Sequence, residues 1–513
     1  MKIQRTKNAV RSMVFDGLLK AFNVAVPFVM RSVMLHFLGV QYLGLNGLFR
    51  SVLSVLNLTE LGVGSVMVFS MYKPIAEDDT DTICALMKLY RTVYRVIGLL
   101  IAGMGLALAP FLGRLVKGSV PPDMNLNILY FMNLGSTVLT YWLFAHRNCL
   151  LLAHQRNDVS GKIGLAVYLA EYTLKALALA LFRNYYLYLS IQLAKQIAIN
   201  LLTAWKASRL FPQYTPRGSL PKEQVRAIIR LVRDRFTAKV AYVVFKAADT
   251  LVISSFLGLT ALAVYQNYNY VVTALGMMLE VVIGACIAGI GNSLVTESAE
   301  KNYHDLKKLS LLYHWMLAVA ASMLLCLFQP FMRLWMGADN MLDFQGAVCF
   351  SVYFYCVSVH QLLGMFKDAA GIWRKDRWRP LAGAAVNLAL NLVSVRRLGM
   401  YGVLVSSIVS IALVQVPWLL RNLFQEVFPR KALREYAGLF CGVGVTAVLA
   451  CGLSGLLCGC FRAGPWLTLA LNACVSFAVP NTVFLLVYGR HPLFRESLGQ
   501  LKGIFVQKIN PRA

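Results

Sequence analysis

The sequence predicts an all-α polytopic membrane protein with about fourteen transmembrane helices, and three observations lead to this prediction. Of the 513 residues, 58% are hydrophobic and 14% are charged, whereas soluble domains carry about a quarter charged residues. The mean hydropathy is +0.61. Apolar runs recur from end to end at about 20 residues, the length at which a helix crosses a bilayer, and the alternating pattern of an outer-membrane barrel is absent.

The apolar runs define the predicted spans in order. They lie at about 13–36, 43–71, 92–115, 126–148, 160–182, 185–205, 237–256, 260–294, 309–334, 343–366, 379–398, 400–422, 436–461 and 465–489. An even number of spans places both termini on the same side of the membrane. The basic N-terminus, the basic C-terminus and the even-numbered loops are therefore assigned to the cytoplasm, following the positive-inside rule.

The formal net charge of +27 would suggest nucleic-acid binding in a soluble protein. Most of the 50 Lys and Arg residues, however, fall in one alternating set of loops and termini. That asymmetry is the signature of membrane topology. Basic loops beside an anionic leaflet explain the charge, so no nucleic-acid partner is predicted.

The first two predicted helices carry polar residues inside their apolar runs. The polar stripe consists of Asp16, Lys20, Asn23, Pro27 and Arg31 on the first helix, and of Asn46, Arg50, Ser54, Asn57 and Glu60 on the second. Spacings of three and four residues place each stripe on one helix face. An ionisable side chain in hydrocarbon costs about 2.5 kcal/mol or more, so the stripes must face each other, protein or water. Two interpretations stay open: ion pairs that only hold helices together, or a cationic, water-filled cavity for an anionic substrate.

The longest connection, 206–236, is also the most basic and provides the best internal boundary. Its second part has apolar residues on one face and arginines opposite, which predicts either an amphipathic helix on the inner membrane surface or a solvated linker. The predicted organisation is an N-lobe of six spans at 1–205, the linker at 206–236, a C-lobe of six spans at 237–422, and two accessory spans with a basic cytoplasmic tail at 423–513.

Two short motifs recur across that boundary. Phe37-Leu38-Gly39 closes the first span and Phe256-Leu257-Gly258 closes the seventh, while Pro110-Phe111 and Pro330-Phe331 follow at nearly equal distances. Matched motifs and equal helix numbers predict two six-helix lobes in the same orientation. Parallel repeats of this kind usually place the substrate site between the lobes and work by alternating access.

The second lobe also carries polar residues within its spans. Lys246 and Asp249 share a face of the seventh span, and Asn269 and Glu280 share a face of the eighth. The eighth span includes the run from Tyr265 to Tyr270, which is interpreted as interfacial anchors or, alternatively, as sugar-contacting aromatics. In the first lobe, three further ionisable residues are interpreted mainly as intramembrane pairing. These are Glu171, Lys175 and Lys195.

Enzymatic functions fit the sequence poorly. The predicted outer loops are short, the seven histidines form no metal-binding motif, and no phosphate-cradling loop is present. The charges of both signs do not form a selectivity ring. The sequence therefore predicts a transporter that is not an enzyme and needs no cofactor or metal.

Several motifs together resemble one transporter family. They are Asn46-Gly-Leu-Phe49, Leu58-Thr-Glu60-Leu-Gly62-Val-Gly64, Tyr72-Lys-Pro74-Ile-Ala-Glu77, Leu89-Tyr-Arg91, Tyr94-Arg95-Val-Ile-Gly98, Ile253-Ser-Ser-Phe-Leu-Gly258 and Tyr265-Gln-Asn-Tyr-Asn-Tyr270. The run resembles the Wzx-type polysaccharide-unit flippases of the MOP superfamily, which also includes MATE exporters and the lipid II flippase. The resemblance covers essentially the whole chain and includes the plan of fourteen spans.

The resemblance implies that undecaprenyl-diphosphate-linked oligosaccharide is moved from the inner to the outer leaflet of the bacterial cytoplasmic membrane, for surface polysaccharide biosynthesis. The family's cationic cavity would map onto Lys20, Arg31, Arg50 and Lys246 as ligands of the diphosphate. Cavity and coupling roles would fall to Asp16, Glu60, Asp249, Asn269 and Glu280. Implied partners are the lipid-linked oligosaccharide, membrane lipids, and a polysaccharide polymerase with glycosyltransferases.

Two other functions stay open at this point. A MATE-like exporter of cationic drugs should have a net acidic cavity, whereas the residues singled out include Lys20, Arg31, Arg50 and Lys246. A transport-inactive scaffold would dock polysaccharide-synthesis enzymes through its basic loops. An assay of flipping separates the scaffold from the flippase.

Overall fold

The computed structural model describes residues 5–57, 63–118, 120–461, 464–497 and 499, and only the backbone at 5–20, 233–239, 282, 285 and 288. Over these residues the chain is almost entirely helical and contains no β-strand. The prediction of an all-α membrane protein is confirmed. Among the described residues, eight helices are long and apolar enough to cross a membrane, or nine if one bent helix pair forms a single span.

The helices follow the apolar runs closely. In chain order they are α1 (Arg5–Phe37), α2 (Val40–Leu56), α3 (Val63–Ala76), α4 (Thr80–Leu108), α5 (Leu126–Trp142), α6 (Ala145–Ala153), α7 (Asn157–Phe182), α8 (Tyr185–Leu210), α9 (Lys222–Leu257), α10 (Leu259–Thr296), α11 (Ala299–Met336), α12 (Phe344–Ala369), α13 (Arg379–Val409), α14 (Val416–Glu426), α15 (Leu433–Gly459) and α16 (Pro465–Tyr488). The described part of every predicted span overlaps one of these helices or two consecutive ones. The fourth span is the bent pair, because α5 and α6 meet at 53°.

The chain forms two compact units, a first unit at Met1–Ala263 and a second unit at Val264–Ala513. In the first unit α7 packs against α1 and α8, and α2 packs against α5 and α9. The predicted amphipathic part of the linker is helical, but it is continuous with the seventh span because α9 runs unbroken from Lys222 to Leu257. The break in this connection is the stretch 211–221 between α8 and α9.

The repeated Phe-Leu-Gly motif marks two helix junctions of the same geometry. Gly39 (φ 101°) separates α1 from α2, and Gly258 (φ 92°) separates α9 from α10. Side chains disfavour this backbone region, which explains why glycine ends both motifs. The other repeated motif behaves differently, because Pro110 lies in the 3₁₀ turn Ala109–Leu115 whereas Pro330 lies inside α11.

The eleventh and twelfth predicted spans meet inside one continuous run of helix. Gly399 (φ 57°, ψ −134°) breaks α13 sharply at the position where the sequence places the boundary between the two spans. Further on, a π-helical turn at Ser410–Gln415 joins α13 to α14. Ser410 Oγ donates a hydrogen bond to the Gly383 carbonyl at 2.7 Å. Across the break, Asn387 Nδ2 donates a hydrogen bond to Ser407 Oγ at 2.7 Å, which ties the two halves of α13 together.

The last two helices, α15 and α16, each pack against the rest of the second unit by one face. Phe484 of α16 is fully buried in a cluster with Val443 of α15 and Leu311 of α11. The opposite faces expose large apolar side chains, among them Leu456 (74% exposed) and Leu486 (79% exposed). Apolar surface of this extent is expected where a helix meets lipid.

Candidate functional site

The polar stripe of α2 points toward polar residues of neighbouring helices. The side chain of Asn46 is hydrogen-bonded to Tyr188 of α8, and Asn57 Oδ1 accepts a hydrogen bond from the Tyr141 hydroxyl of α5 at 3.2 Å. Arg50 lies between Asn46 and Asn57 on the same face. Asn46 and Asn57 therefore face protein, whereas the Arg50 side chain is exposed and requires water or an anion beside it, since an unpaired charge in hydrocarbon is costly.

A carboxylate with two lysines lies on α7 and α8. Lys175 Nζ is 2.7 Å from Glu171 Oε1, and Lys195 Nζ is 3.8 Å from Glu171 Oε2. Both Glu171 and Lys175 are only 4% exposed, and Lys195 is 16% exposed. The sequence prediction of intramembrane pairing among these three residues is confirmed for both lysines.

Aromatic rings and amides surround the two lysines. Lys175 Nζ lies 4.2 Å from the centroid of the Tyr188 ring, and Lys195 Nζ lies 5.3 Å from that of Tyr168. Lys175 also donates a hydrogen bond to Gln192 Oε1 at 3.3 Å. Ring faces attract cations, and an amide oxygen replaces part of the lost hydration. The lysines are thus held in place by more than the single carboxylate.

Arg31 and Arg50 complete the positive charge of this region. The charge of Arg50 acts on both Lys175 and Lys195, and the charges of Arg31 and Arg50 both reach the Tyr188 hydroxyl. We call Arg31, Arg50, Lys175, Lys195 and Glu171 the cationic cluster. Lys175 and Lys195 are paired with Glu171, and Arg31 has a contact of its own. Arg50 is exposed, so it is the cation of the cluster that an anion reaches most easily.

The structure brings together only some of the residues predicted to bind the diphosphate. Arg31 and Arg50 both belong to the cationic cluster, whereas Lys246 is exposed on α9 and Asp249, one turn further along, is buried. The side chains of Asp16 and Lys20, as well as Glu60, lie outside the described residues.

Two predicted cavity residues lie on α10 in the second unit. Glu280 is exposed and accepts a hydrogen bond from Gln361 Nε2 of α12 at 3.3 Å. Asn269 is partly buried, and its Oδ1 atom is enclosed without a hydrogen-bond partner among the described residues. Both Glu280 and Asn269 are polar, but neither supplies positive charge that would attract an anion.

Two of the three tyrosines of the eighth span, Tyr265 and Tyr268, are buried in the protein. Tyr265 is 3% exposed and Tyr268 is fully buried. Tyr268 stacks on Phe350 with ring centroids 5.4 Å apart, and its hydroxyl accepts a hydrogen bond from the Leu342 amide at 3.2 Å. Both earlier interpretations are wrong for these two residues, because their rings fill the core of the second unit.

A second buried group of charges lies where α12, α13 and α14 meet. Arg379 donates to Asp376 through Nε at 2.7 Å and through Nη2 at 2.6 Å, and to His360 Nε2 through Nη1 at 2.6 Å. Asn422 of α14 donates to Asp376 Oδ1 at 2.9 Å. Sequence analysis missed this group, since an Asp and an Arg three residues apart in a basic loop give no sign of burial.

The second unit also has two open clefts around Asn302, of about 440 and 410 Å³. Their lysines are already paired: Lys301 with Glu297 at 2.7 Å and Lys308 with Asp305 at 2.9 Å. The paired charges leave little net attraction for an anion. Among the described residues, the cationic cluster of the first unit is therefore the stronger candidate.

Comparison with solved structures identifies the fold. The chain matches "Lipid II flippase MurJ, inward closed conformation" with a TM-score of 0.65 and 12% identity, over 93% of this chain and 99% of that one. The chain shares its fold with transporters of the MOP superfamily. An inward-facing MATE multidrug-resistance transporter matches with a TM-score of 0.60 and 14% identity, over 81% of this chain and 96% of that one. No family model and no curated protein matches the sequence.

A third solved structure has the same fold. It is a MOP-superfamily transporter from Pyrococcus furiosus, described as having a binding pocket of reverse polarity that suggests a different function. It matches with a TM-score of 0.53 and 13% identity, over 83% of this chain and 96% of that one. At these identities the comparisons establish the fold, and the substrate has to be argued from the residues of this chain.

Proposed function

We propose that this protein is a flippase that moves undecaprenyl-diphosphate-linked oligosaccharide repeat units from the cytoplasmic to the outer leaflet by alternating access, for surface polysaccharide biosynthesis. The observation that carries the proposal is the cationic cluster within the helices of the first unit. Lys175 and Lys195 pair with Glu171 there, and Arg31 and Arg50 add positive charge to the same region.

The chemistry of a lipid diphosphate explains why such a cluster is needed. A diphosphate cannot enter hydrocarbon bare, because the loss of its hydration costs far more than thermal energy. Arginine and lysine side chains replace that hydration, and arginine can bind two phosphate oxygens at once. The sugars would stay in water while the polyprenyl tail stays in lipid. Arg31 and Arg50 are the diphosphate ligands that this proposal requires first.

The remaining predicted residues complete the proposal. Lys20 and Lys246 would add positive charge along the path of the diphosphate. Coupling and cavity roles are proposed for an acidic and polar set consisting of Asp16, Glu60, Asp249, Asn269 and Glu280. The proposed setting is the bacterial cytoplasmic (inner) membrane with both termini in the cytoplasm, and polysaccharide polymerase and glycosyltransferases are the proposed protein partners.

A MATE-like drug exporter is the alternative that shares this fold. An exporter of cationic drugs needs net negative charge where the drug binds, because like charges repel in a site of low dielectric constant. The cationic cluster has the opposite sign. A transport-inactive scaffold would have no need for lysines such as Lys175 (4% exposed) and Lys195 (16% exposed) inside its helices, given what their burial costs.

The decisive experiment uses the full chain in proteoliposomes with a fluorescent undecaprenyl-diphosphate oligosaccharide in the inner leaflet. We expect protein-dependent appearance of the label in the outer leaflet, accessible to a membrane-impermeant quencher. Efflux of a cationic dye by the same vesicles, without lipid translocation, would establish the exporter instead. Absence of both activities, with correctly inserted protein, would favour the scaffold.

A further inference from the structure

The connection between α12 and α13 lies at a membrane surface. It follows Phe344–Ala369 and precedes the helical run that begins at Arg379, and both are long and apolar enough to cross a membrane. Residues 370–378 join the ends of these two helices, so they stay close to the bilayer surface. Because the positive-inside rule assigns this connection to the cytoplasm, we expect it to meet the inner leaflet.

The acidic residue of this connection points into the protein. Asp376 is the only Asp or Glu between residues 370 and 378, and its carboxylate accepts hydrogen bonds from Arg379 and from Asn422 Nδ2. The backbone coils around it, because the Asp376 amide donates to the Ile372 carbonyl and the Arg379 amide donates to the Asp376 carbonyl, both at 3.3 Å. These contacts hold the connection with its negative charge turned inward.

Two tryptophans of the same connection point outward. Trp373 is 55% exposed and Trp378 is 56% exposed. Each ring is held by a neighbour, since Trp373 Nε1 donates to Asp368 Oδ1 at 2.9 Å and the Arg377 guanidinium lies 5.2 Å from the centroid of the Trp378 ring. Exposed indoles at the end of a membrane-spanning helix are typical of the lipid headgroup region, where the apolar ring meets lipid and the N–H meets polar groups.

The exposed side of the connection carries positive charge without negative charge. Arg374 and Arg377 are exposed, and neither forms an ion pair with a carboxylate in the part of the chain that the structure describes. Lys375, between them, is already paired with Glu426. We call Trp373, Arg374, Arg377 and Trp378 the indole–guanidinium surface. Its two guanidinium groups are therefore available to an external anion.

We propose that the indole–guanidinium surface binds the headgroup of an anionic phospholipid of the inner leaflet. The two arginines contact the headgroup phosphate, because a guanidinium can donate two parallel hydrogen bonds to phosphate oxygens. The two indoles lie beside the glycerol region and the start of the acyl chains. This lipid stays in place and is not transported, so the site is independent of the proposed flippase activity.

An anionic lipid fits this surface better than an acidic protein does. The surface lies on a short connection between two membrane-spanning helices, where the inner leaflet already supplies anionic headgroups at the right depth. Two exposed indoles beside two arginines match a ligand that is apolar on one side and anionic on the other. An acidic protein would supply the charge but not the apolar neighbour.

The test measures lipid binding to the full-length, delipidated protein in detergent by native mass spectrometry, with phosphatidylglycerol and phosphatidylcholine as probes. We expect the wild-type protein to bind phosphatidylglycerol more tightly. An arginine near a headgroup contributes enough that Arg374→Gln and Arg377→Gln should each weaken phosphatidylglycerol binding about fivefold, and the double variant about thirtyfold. Arg333→Gln/Arg397→Gln removes the same charge from other exposed positions of the second unit and is the matched control, with affinity unchanged.

Tryptophan fluorescence in nanodiscs locates the bound lipid. At equal mole fraction, brominated phosphatidylglycerol should quench the wild-type protein more than brominated phosphatidylcholine does. The excess quenching should disappear in Trp373→Phe/Trp378→Phe and in Arg374→Gln/Arg377→Gln. Persistence of the excess in both variants would place the lipid elsewhere and overturn the proposal.

Three further results would also overturn the proposal. One is equal affinity of the wild-type protein for the two lipids, and another is an unchanged preference in Arg374→Gln/Arg377→Gln. The third is tighter binding of a polyglutamate peptide than of phosphatidylglycerol, which would assign the surface to an acidic protein. Should the glutamine variant not fold, Arg374→Lys/Arg377→Lys keeps both charges and loses the paired hydrogen bonds; it should bind phosphatidylglycerol more weakly than wild type, and equal binding refutes the guanidinium contact.

Discussion

Asp376 receives two parallel hydrogen bonds from Arg379, at 2.7 Å from Nε and 2.6 Å from Nη2, and both residues are only 3% exposed. His360 and Asn422 extend this contact to α12 and α14. The loop after α12 is thereby fixed to three helices of the second unit. The arrangement has a direct consequence for stability.

Arg379→Gln should destabilise the protein by about 3 kcal/mol, because it leaves the Asp376 carboxylate buried without its charged partner. Thermal denaturation in detergent, followed by loss of the monodisperse peak, measures the effect. Lys73→Gln is the control, since Lys73 is 83% exposed and pairs with Glu77 at 3.8 Å. An exposed ion pair of this kind contributes little to stability. Equal denaturation midpoints for the two variants would contradict the prediction.

Gly44 allows α2 to approach the start of α10 within the first unit. A Cβ atom at Gly44 would lie 2.2 Å from the carbonyl oxygen of Leu259, which is backbone and cannot turn away. Gly44→Ala should therefore lower the denaturation midpoint by several degrees, whereas Gly135→Ala, with open space around its Cβ position, should be neutral or slightly stabilising. A Gly44→Ala protein as stable as wild type would show that these helices do not pack this closely.

Arg50→Ala should abolish flipping while leaving the protein folded and inserted, because the variant removes a cation from the cluster proposed to bind the diphosphate. Lys246→Ala should do the same if Lys246 lies on the path of the substrate. Surface polysaccharide in complemented deletion cells and translocation in proteoliposomes are the measurements. Arg226→Ala, at an exposed position near the start of α9, is the control; normal polysaccharide in cells carrying Arg50→Ala/Lys246→Ala would exclude both residues.

The membrane potential should drive transport. Movement of a negative charge out of a negative-inside cell is favourable by about 2.3 kcal/mol per charge per 100 mV. Proteoliposomes in which the potential and the pH gradient are imposed separately should flip faster under the potential alone. A response to the pH gradient only would instead assign the driving force to a proton, with Glu60, Asp249 and Glu280 as the groups to test.

Phe484→Ala should affect stability rather than transport. The ring is fully buried between α11, α15 and α16, and its removal leaves a cavity that costs about 3–5 kcal/mol. We expect a lower denaturation midpoint with normal flipping per folded molecule. Phe477→Ala, at a position 59% exposed, should change neither quantity; a specific loss of flipping in Phe484→Ala would give α16 a role in transport.

The sequence predicts the helices well because length and hydropathy determine whether a segment can cross a bilayer. It even locates the break at Gly399, since a glycine there separates two apolar runs of spanning length. It does not predict that α9 continues through the basic linker from Lys222, because a charged amphipathic helix and the start of a span look alike locally. Residue type was also misleading at Tyr268, where the apolar body of the ring, and not its hydroxyl, determines its place in the core.

The candidate site is only partly predictable for a related reason. The stripe of α2 is visible in the sequence, because periodicity reveals which side chains share a helix face. The neighbours of Arg50 on α7 and α8 are not visible in the sequence, because no spacing rule relates side chains on different helices. Glu171 and Lys175 look like an ordinary pair one turn apart until Lys195 is found beside them.

The π-helical turn at Ser410–Gln415 sets the rotation of everything that follows it in the same run of helix. Such a turn contains one residue more than the α-helix it interrupts. If the same residues were wound as regular α-helix, with none removed, α14 would be rotated by about 100°. Asn422 would then leave Asp376, and Gln415 would no longer sit against Gly383. The π-helical turn thus determines which side of α14 meets its neighbours, and a change that straightens the turn without removing a residue should cost more stability than one that keeps it.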